Sequence, residues 1–410
     1  MSASAAVKYV IILLIHLLLV ETVKQEYGFR VEAVSNAGEG NLNVTERVGR
    51  HGYNVEEHTA VTEDGYVLQL FRINKHNKRG PPVLLMHGLL LSADAWVEAG
   101  PKAGLAYFLS DLGYDVWLGN ARGNTYSRKH VTLDPDHDAE FWRFSRDEMG
   151  HYDLPAMLDM VLHVTGEQQL SYIGFSQGAG TFFMMCDYRP DYCNKAKIMI
   201  ALAPSTRHTL TTSLMFRPLS IAYETKETAL DVLGLYEALY RGGLLQSFLN
   251  TFCPTSDAAT AICEQVLFIL DGFHSGSKTL DTLINAFGHF PAGTSVQNMA
   301  CYGQAMLSDK FQKFDFGPVK NREVYGRDRP PEYNLGAVTA PVVVLSGRND
   351  AIVDIRDVKW AVPRLPNVVQ AMVVENPLWT HLDNTYSRLA PRYIFPHIEM
   401  NLNMYNYFNK

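Results

Sequence analysis

The stretch that decides the fold reads LSYIGFSQGAG and covers residues 170–180. A short apolar run leads into Gly174-Phe175-Ser176-Gln177-Gly178, which has the pattern Gly-x-Ser-x-Gly. This pattern is typical of a sharp strand-to-helix turn that holds a serine oxygen exposed above a sheet. The glycines suit such a turn because residues without a Cβ let the strand and the helix approach closely. We therefore predict that Ser176 is a nucleophile.

A serine nucleophile needs an adjacent base, and histidine supplies one near neutral pH. In an α/β-hydrolase the partners follow in the order Ser, then Asp or Glu, then His. Only His381 and His397 follow the last strong apolar run, 368–374. His381 falls on a loop just after that predicted strand, whereas His397 follows Pro396 in a predicted terminal helix. We predict that His381 is the base; its alternative is a surface or capping histidine.

The acid is predicted from a β-branched run. Residues 341–347 read PVVVLSG, which is typical of a buried parallel strand, and Asp350 follows on the next loop. That position, past the carboxyl end of a strand, is where ligands gather in open α/β sheets. Asp354 and Asp357 fall at a predicted helix start, where capping or interaction with the helix dipole is favoured. We therefore predict that Asp350 orients the imidazole of His381.

The oxyanion hole is expected from the loop that follows the apolar strand 83–86, where the sequence reads HGLL. One backbone N–H is assigned to Leu89 and the second to Gln177, the residue after the nucleophile. His87 precedes Ser176 in the chain, which is the wrong order for the base. We predict that His87 orients this loop.

The rest of the chain predicts an α/β fold with a mostly parallel central sheet. Residues 53–73 read as a hairpin around Asp64-Gly65, and helical stretches such as 154–164 separate the strands that follow. Those strands are predicted near 83–87, 115–119, 170–175, 197–203, 341–346 and 368–374.

The long gap between two of these strands, 204–338, contains helical stretches such as 225–240 and 279–287. An insertion of this length predicts a cap over the catalytic face, placed before the strand that carries Asp350. The predicted hydrolase core is then 24–203 together with 339–410. Most apolar residues of the insertion are explained by packing, but an apolar roof over the serine also favours long apolar acyl groups.

The N-terminal sequence and the composition limit the partners and the location that can be expected for this chain. The chain has 410 residues and a net charge of −7, which argues against a nucleic-acid partner. Residues 1–23 carry Lys8 and then the apolar run 9–20, which predicts a signal peptide. The run is shorter than the ~20 residues that cross a bilayer, and an uncleaved anchor is the alternative. The sequon Asn43-Val44-Thr45 predicts a glycan on Asn43.

Five cysteines are present, so at least one is unpaired within the chain. Secretion would permit disulfides. Cys186 and Cys193 could pair, but Cys186 falls on the predicted helix after the nucleophile and is expected to be a core thiol. No Cys/His spacing suits zinc, so neither a metal nor a cofactor is predicted.

Several separate stretches resemble the acid lipase family of α/β-hydrolases, the group that includes gastric and lysosomal acid lipases. The resemblance runs from about residue 40 to the C-terminus. Its stretches are TEDGY at 62–66, HGLL at 87–90, NARGN at 120–124, FW at 141–142, DEM at 147–149, YDLP at 152–155, PAGTS at 291–295 and QNM at 297–299. Two positions depart from the family pattern, because Phe175 and Cys301 stand where the family usually has histidine.

The resemblance implies a serine lipase that hydrolyses carboxylic esters of neutral lipids, such as triacylglycerols or sterol esters, at a lipid–water interface. The family roles fall on Ser176, Asp350 and His381, with Leu89 and Gln177 as the oxyanion-hole donors. Cys253 and Cys263 close a short loop and are the best disulfide pair, as the resemblance also implies. A secreted or lysosomal location is expected. The alternatives are a lipid-binding protein with little turnover and a general carboxylesterase.

Overall fold

A mixed eight-stranded sheet forms the centre of the computed structural model, which describes residues 39–75 and 80–407. The strands in chain order are β1 Asn54–Val61, β2 Val67–Asn74, β3 Pro82–Met86, β4 Asp115–Gly119, β5 Leu170–Phe175, β6 Ala196–Leu202, β7 Glu237–Ala238, β8 Thr294–Ser295, β9 Val342–Ser346 and β10 Val368–Val373. The main sheet has the order β1-β2-β4-β3-β5-β6-β9-β10, and β7 pairs with β8 separately.

The main sheet is antiparallel only at one side, where β1 pairs with β2 and β2 with β4. The remaining neighbours are parallel, as predicted. The central strands β3, β4, β5 and β9 are buried along their whole length, which explains why they read as continuous apolar runs. The predicted hairpin is confirmed, and Gly65 takes a positive φ of 96° in its turn.

Helices alternate with the parallel strands, and several pack directly on the sheet. The α-helices are α1 Val44–Arg50, α2 Leu105–Asp111, α3 Arg146–Glu148, α4 Leu154–Thr165, α5 Gln177–Tyr188, α6 Pro190–Cys193, α7 Phe216–Val232, α8 Leu244–Phe252, α9 Asp257–Asp271, α10 Leu280–His289, α11 Val296–Leu307, α12 Pro318–Tyr325, α13 Ile355–Ala361, α14 Asp383–Tyr386, α15 Ala390–Tyr393 and α16 Phe395–Tyr407. Short 3₁₀ turns cover Glu39–Asn41, Ala93–Trp96, Ala139–Trp142, Cys253–Thr255, Leu335–Ala337 and Val362–Arg364, and one π-turn covers Met149–Asp153.

The chain between β6 and β9 contains α7 to α12 together with β7 and β8. The predicted helix 279–287 matches α10, whose N-cap is Thr279. The helix predicted over 225–240 is misplaced: α7 covers 216–232, and the chain then turns through Gly234 at a positive φ of 74°. The residues beyond it pair as β7, because Glu237 and Ala238 find partners in the distant Ser295 and Thr294.

Two disulfides are present. Cys253 is bonded to Cys263, as predicted. The expectation that Cys186 is a core thiol is wrong, because Cys186 is bonded to Cys193. Helix α5 ends at Tyr188 and the short α6 turns back, which brings the two Cα atoms to 4.8 Å. Cys301 is unpaired and buried.

The predicted signal peptide, 1–23, lies outside the described residues. In the ranges that the structure describes, every helix is too short or too polar to cross a membrane. Asn43 is the N-cap of α1, and its Oδ1 accepts the N–H of Glu46 at 2.9 Å. N-glycosylation uses the other side-chain atom, Nδ2, so this cap is compatible with the predicted glycan.

Candidate active site

Ser176 occupies a strained turn between β5 and α5. Its φ and ψ are 54° and −112°, a conformation that residues with a side chain rarely adopt. The flanking glycine Gly178 makes this turn possible, since a Cβ there would lie 2.4 Å from the carbonyl oxygen of Met86. The strain is the expected feature of a nucleophile elbow, and it places the Ser176 side chain in a pocket at the end of the sheet.

Asp350 and His381 are hydrogen-bonded, although β10 separates them in the chain. The distance from His381 Nδ1 to Asp350 Oδ2 is 2.7 Å, and both side chains are buried. The other oxygen of Asp350 accepts the N–H groups of Ile352 and Val353 at 2.9 and 2.7 Å. The bond to the carboxylate keeps the proton of a neutral imidazole on Nδ1, so Nε2 is left as an acceptor.

The charges around His381 favour its protonated form. Burial alone would lower the pKa of this imidazole, but the neighbouring carboxylates of Asp350 and Asp271 outweigh burial and raise it. Ser176 and His381 line the same pocket. No hydrogen bond joins their side chains among the described residues, and such bonds commonly tighten only when substrate binds.

The alternative acids and base have other partners. Asp354 caps α13 through a hydrogen bond to Arg356 N at 2.8 Å, and Asp357 is paired with Arg207 at 2.7 Å. His397 lies on α16 and is 3.4 Å from Gln370. Asp354 has the capping role that the sequence indicated, and Asp357 lies in the first turn of the same helix but is also paired with Arg207. None of the three lines the pocket of Ser176.

His87 lies beneath the predicted oxyanion loop and connects it to the loop after β4. Its Nδ1 is 2.8 Å from the carbonyl oxygen of Gly88, and its Nε2 accepts the N–H of Ala121 at 3.1 Å. Burial lowers the pKa of His87 to about 4, so it stays neutral and can both donate and accept. The structure therefore gives His87 the orienting position that the sequence predicted.

Both predicted oxyanion donors belong to residues near Ser176, because Gln177 follows it in the chain and Leu89 lines the same pocket. The N–H of Gln177 is at the first turn of α5, and no hydrogen bond from it or from Leu89 N is found in the described part of the chain. The Gln177 side chain is held through its Oε1, which accepts hydrogen bonds from Asn298 Nδ2 at 3.0 Å and Tyr302 Oη at 3.1 Å. Two unpaired donors beside a serine can stabilise a developing oxyanion.

The pocket over Ser176 measures about 470 Å³ when counted to its open mouth. Its lining is almost entirely apolar and includes side chains from the segment between β6 and β9. The residues of that segment are Phe216, Leu270, Phe290 and Tyr302. A smaller apolar cavity lies next to it, and Phe290 and Leu382 line both. The lining therefore suits apolar groups beside the serine.

Sequence reasoning named Phe175 only as a departure from the family pattern, without its contact to His381, and it missed Asp271. Phe175 packs its ring against that of His381, with centroids 4.7 Å apart, and is buried. Asp271, the last residue of α9, accepts the N–H groups of His381 and Leu382. The only sequence signal for Asp271 was an acid at the end of an apolar helical run, which by itself indicates no partner.

Comparison with known proteins identifies the family of this chain. A family model described as a partial alpha/beta-hydrolase lipase region matches residues 44–100, and one for the alpha/beta hydrolase fold matches residues 81–384. The gastric triacylglycerol lipase of Homo sapiens is 38% identical over 361 residues, which are 86% of this chain and 89% of that protein. The human lysosomal acid lipase/cholesteryl ester hydrolase is 37% identical over 360 residues, covering 86% and 88%.

Lipase 1 of Drosophila melanogaster is 38% identical over 347 residues, which are 83% of this chain and 75% of that protein. The solved structure of a lipase candidate from Sulfolobus solfataricus shares the fold with a TM-score of 0.56. It is 13% identical in sequence and covers 85% of this chain and 93% of its own. The chain belongs to the acid lipase family of the α/β-hydrolases, a family of carboxylic ester hydrolases.

Proposed function

We propose that this chain hydrolyses the ester bonds of neutral lipids, triacylglycerols or sterol esters, through an acyl-enzyme on Ser176. The observation that carries the proposal is the His381–Asp350 pair at 2.7 Å beside an apolar pocket that also contains Ser176. The names of the relatives, a gastric triacylglycerol lipase and a lysosomal acid lipase/cholesteryl ester hydrolase, support this substrate class.

In this mechanism His381 Nε2 takes the proton of Ser176 as the serine Oγ attacks the ester carbonyl carbon. The tetrahedral oxyanion is stabilised by the N–H groups of Leu89 and Gln177. The C–O bond to the alcohol then breaks, and His381 returns the proton to the leaving alcohol. Water, deprotonated by the same imidazole, attacks the acyl carbon; the bond from that carbon to Ser176 Oγ then breaks, His381 returns the proton to Oγ, and the fatty acid is released. Asp350 keeps the imidazole oriented and stabilises its charged form throughout.

We further propose that residues 204–338 form a cap over this site, on a core of 24–203 and 339–410. The four pocket residues that this segment supplies support the assignment. The same segment also has large apolar side chains that are exposed to solvent, which suits contact with a lipid–water interface. They are Leu214, Val232, Leu233, Phe248, Ile262, Phe273, Leu280, Leu307, Val319 and Val324.

A secreted or lysosomal location follows from the same proposal. The relatives named gastric and lysosomal support it, and so do two disulfides, which persist in oxidising compartments. Residues 1–23 would direct export, and Asn43 would carry the glycan.

The decisive experiment is labelling with a fluorophosphonate probe, followed by mass spectrometry of the adduct and rates for esters of increasing chain length. We expect the adduct on Ser176 and no labelling of Ser176→Ala. Ser205→Ala is the matched control, because Ser205 also contacts a histidine, His208 Nε2 at 2.7 Å, but lies outside the pocket. Absence of any adduct would favour a lipid-binding protein, and faster cleavage of short soluble esters under every condition would favour a general carboxylesterase.

A further inference from the structure

The loop that carries His381 is held by a carboxylate from the proposed cap. Asp271 ends α9, and its side chain is 2% exposed. Its Oδ1 accepts the N–H of His381 at 2.7 Å, and its Oδ2 accepts the N–H of Leu382 at 2.8 Å. Both carboxylate oxygens therefore accept backbone hydrogen bonds, one from the residue assigned as the base and one from its neighbour.

A second carboxylate makes the same connection in the opposite direction. Asp383 belongs to the His381 loop. Its carboxylate accepts hydrogen bonds from His274 Nδ1 at 2.5 Å and from Lys278 Nζ at 2.8 Å, and both donors lie in the connection between α9 and α10. Burial would raise the pKa of Asp383, but the charge of Lys278 and the hydrogen bonds from His274 and Lys278 outweigh it and hold that pKa well below its usual range. The two carboxylates clasp the connection 271–278 to the loop 380–383.

The clasp also reaches the loop of the predicted acid. The backbone oxygen of Asp271 accepts the N–H of Ala351 at 3.3 Å, and Asn349 Nδ2 donates to the carbonyl of Phe273 at 2.9 Å. The connection between α9 and α10 thus contacts the chain on both sides of the Asp350–His381 pair.

Asp271 lies where a negative charge is electrostatically unfavourable, which argues against a purely structural role at the end of the helix. A negative charge at the C-terminal end of a helix opposes the helix dipole. Burial raises the pKa of Asp271 to about 6, Lys278 and His381 oppose that shift, and the carboxylates of Asp350 and Asp383 add to it. A neutral asparagine would cost less electrostatic free energy at this position. However, it offers only one acceptor oxygen, whereas the loop presents two N–H donors.

We propose that Asp271 is a positioning residue for His381, which sets the backbone of the base from within the inserted segment. The proposal rests on the hydrolytic function proposed above. It has a consequence for the cap: the connection 271–278 must stay docked during turnover, so any opening must occur in other parts of the segment.

The test compares Asp271→Asn with Asp257→Asn, an exposed aspartate in the first turn of the same helix. We expect Asp271→Asn to lower kcat and the rate of fluorophosphonate labelling about 10- to 100-fold, with little change in KM, because a misplaced base slows the chemical step. Asp257→Asn should match the wild type. Folding of each variant is checked by thermal unfolding.

The pH profile separates positioning from a loss of stability. The charges facing His381 come from Asp350 and Asp271, whereas burial lowers the pKa of the neighbouring His208 to about 3 and leaves it neutral. Because the carboxylate of Asp271 raises the pKa of His381, its neutralisation should move the acidic limb of kcat/KM to lower pH. A folded Asp271→Asn protein with wild-type kcat and an unchanged acidic limb would overturn the proposal.

Two further outcomes are distinguishable. If wild-type Ser176 is not labelled, the hydrolytic function itself fails; if the wild type and Asp271→Asn are labelled equally fast, only the positioning role fails. Should Asp271→Asn not fold, Lys278→Met breaks the other half of the clasp and should slow labelling in the same way. A wild-type labelling rate in folded Lys278→Met would then refute the clasp.

Discussion

At the scale of single residues, Asp350 and Asp354 follow the same strand but use their carboxylates differently. Asp350 is bonded to His381, whereas Asp354 caps a helix and pairs with Arg356 at 2.9 Å. We expect Asp350→Asn to lower kcat by up to about 10⁴-fold, because an amide no longer holds the imidazole tautomer, without preventing folding. Steady-state rates on an emulsified long-chain ester measure this effect.

Asp354→Asn is the matched control for that substitution, since it changes the same residue type on the same loop. It should cost little activity. Equal losses at both positions, or a larger loss at Asp354, would reverse the assignment of the acid.

The residues that the sequence identified are those whose role depends on local pattern. Ser176 lies between the two glycines of the Gly-x-Ser-x-Gly pattern, Asp350 follows a predicted buried strand, and His381 follows both in the expected chain order. The contacts of Phe175 with His381 and of Asp271 with the same loop had no such pattern, because each joins residues far apart in the chain. Only the folded backbone shows that an acid ending α9 meets the N–H groups of residues 381 and 382.

Among the structural elements, helix α10 is attached to the chain after the predicted oxyanion segment through Asn285, which donates to the carbonyl of Glu98 at 3.2 Å, and through the buried His289. His289 Nδ1 is 2.8 Å from Glu98 Oε1, and His289 Nε2 is 3.8 Å from Asp94 Oδ1. Burial would lower the pKa of His289, but Asp94 and Glu98 together raise it, against the opposing charge of Arg241. The His289 imidazole therefore ties a helix of the proposed cap to the core, and its protonated form is the one that these two carboxylates favour.

The raised pKa gives this contact a definite pH dependence. A group whose pKa is higher in the folded state stabilises fully below its unfolded pKa, ~6.5 for histidine, and loses that contribution as pH rises through the folded value. We expect His289→Gln to reduce the difference in unfolding free energy between pH 5.5 and pH 8.5, measured by urea denaturation. His137→Gln, at an exposed histidine, is the control and should leave that difference unchanged.

The elements of the sheet could be predicted because buried parallel strands read as β-branched runs, and β9 is an example. Elements of the inserted segment could not be placed as well. Helix α7 has few buried side chains, so its apolar pattern is weak and its end was misjudged. The Cys186–Cys193 bond was also missed, because it depends on where α5 ends and how the next turn folds back.

In the molecule as a whole, the proposed cap has one face that lines the pocket and another that is exposed to solvent. Its inner face lines the pocket with Phe216, Leu270 and Phe290, and its outer face exposes apolar side chains such as Phe248 at 55%. A lipid surface can bind the outer face, and the clasp at 271–278 ties one edge of the segment to the catalytic loops. These features together favour a cap that opens by movement of the helices away from the clasp.

Opening of that kind should gate turnover, because a closed layer excludes water and also blocks the entry of substrate. We expect activity to rise when a long-chain ester is presented as an emulsion, compared with the same ester dissolved as monomer. Phe248→Ser should lower the rate on the emulsion about tenfold or more while leaving a short soluble ester unaffected, since burying an apolar side chain of this size contributes ~1.5–3 kcal/mol to binding. Val131→Ser, an equally exposed apolar residue outside the inserted segment, should change neither rate. If the intact enzyme cleaves short soluble esters much faster than long-chain lipid in every interface condition, the cap does not serve a lipid substrate and the lipase assignment yields to a general carboxylesterase.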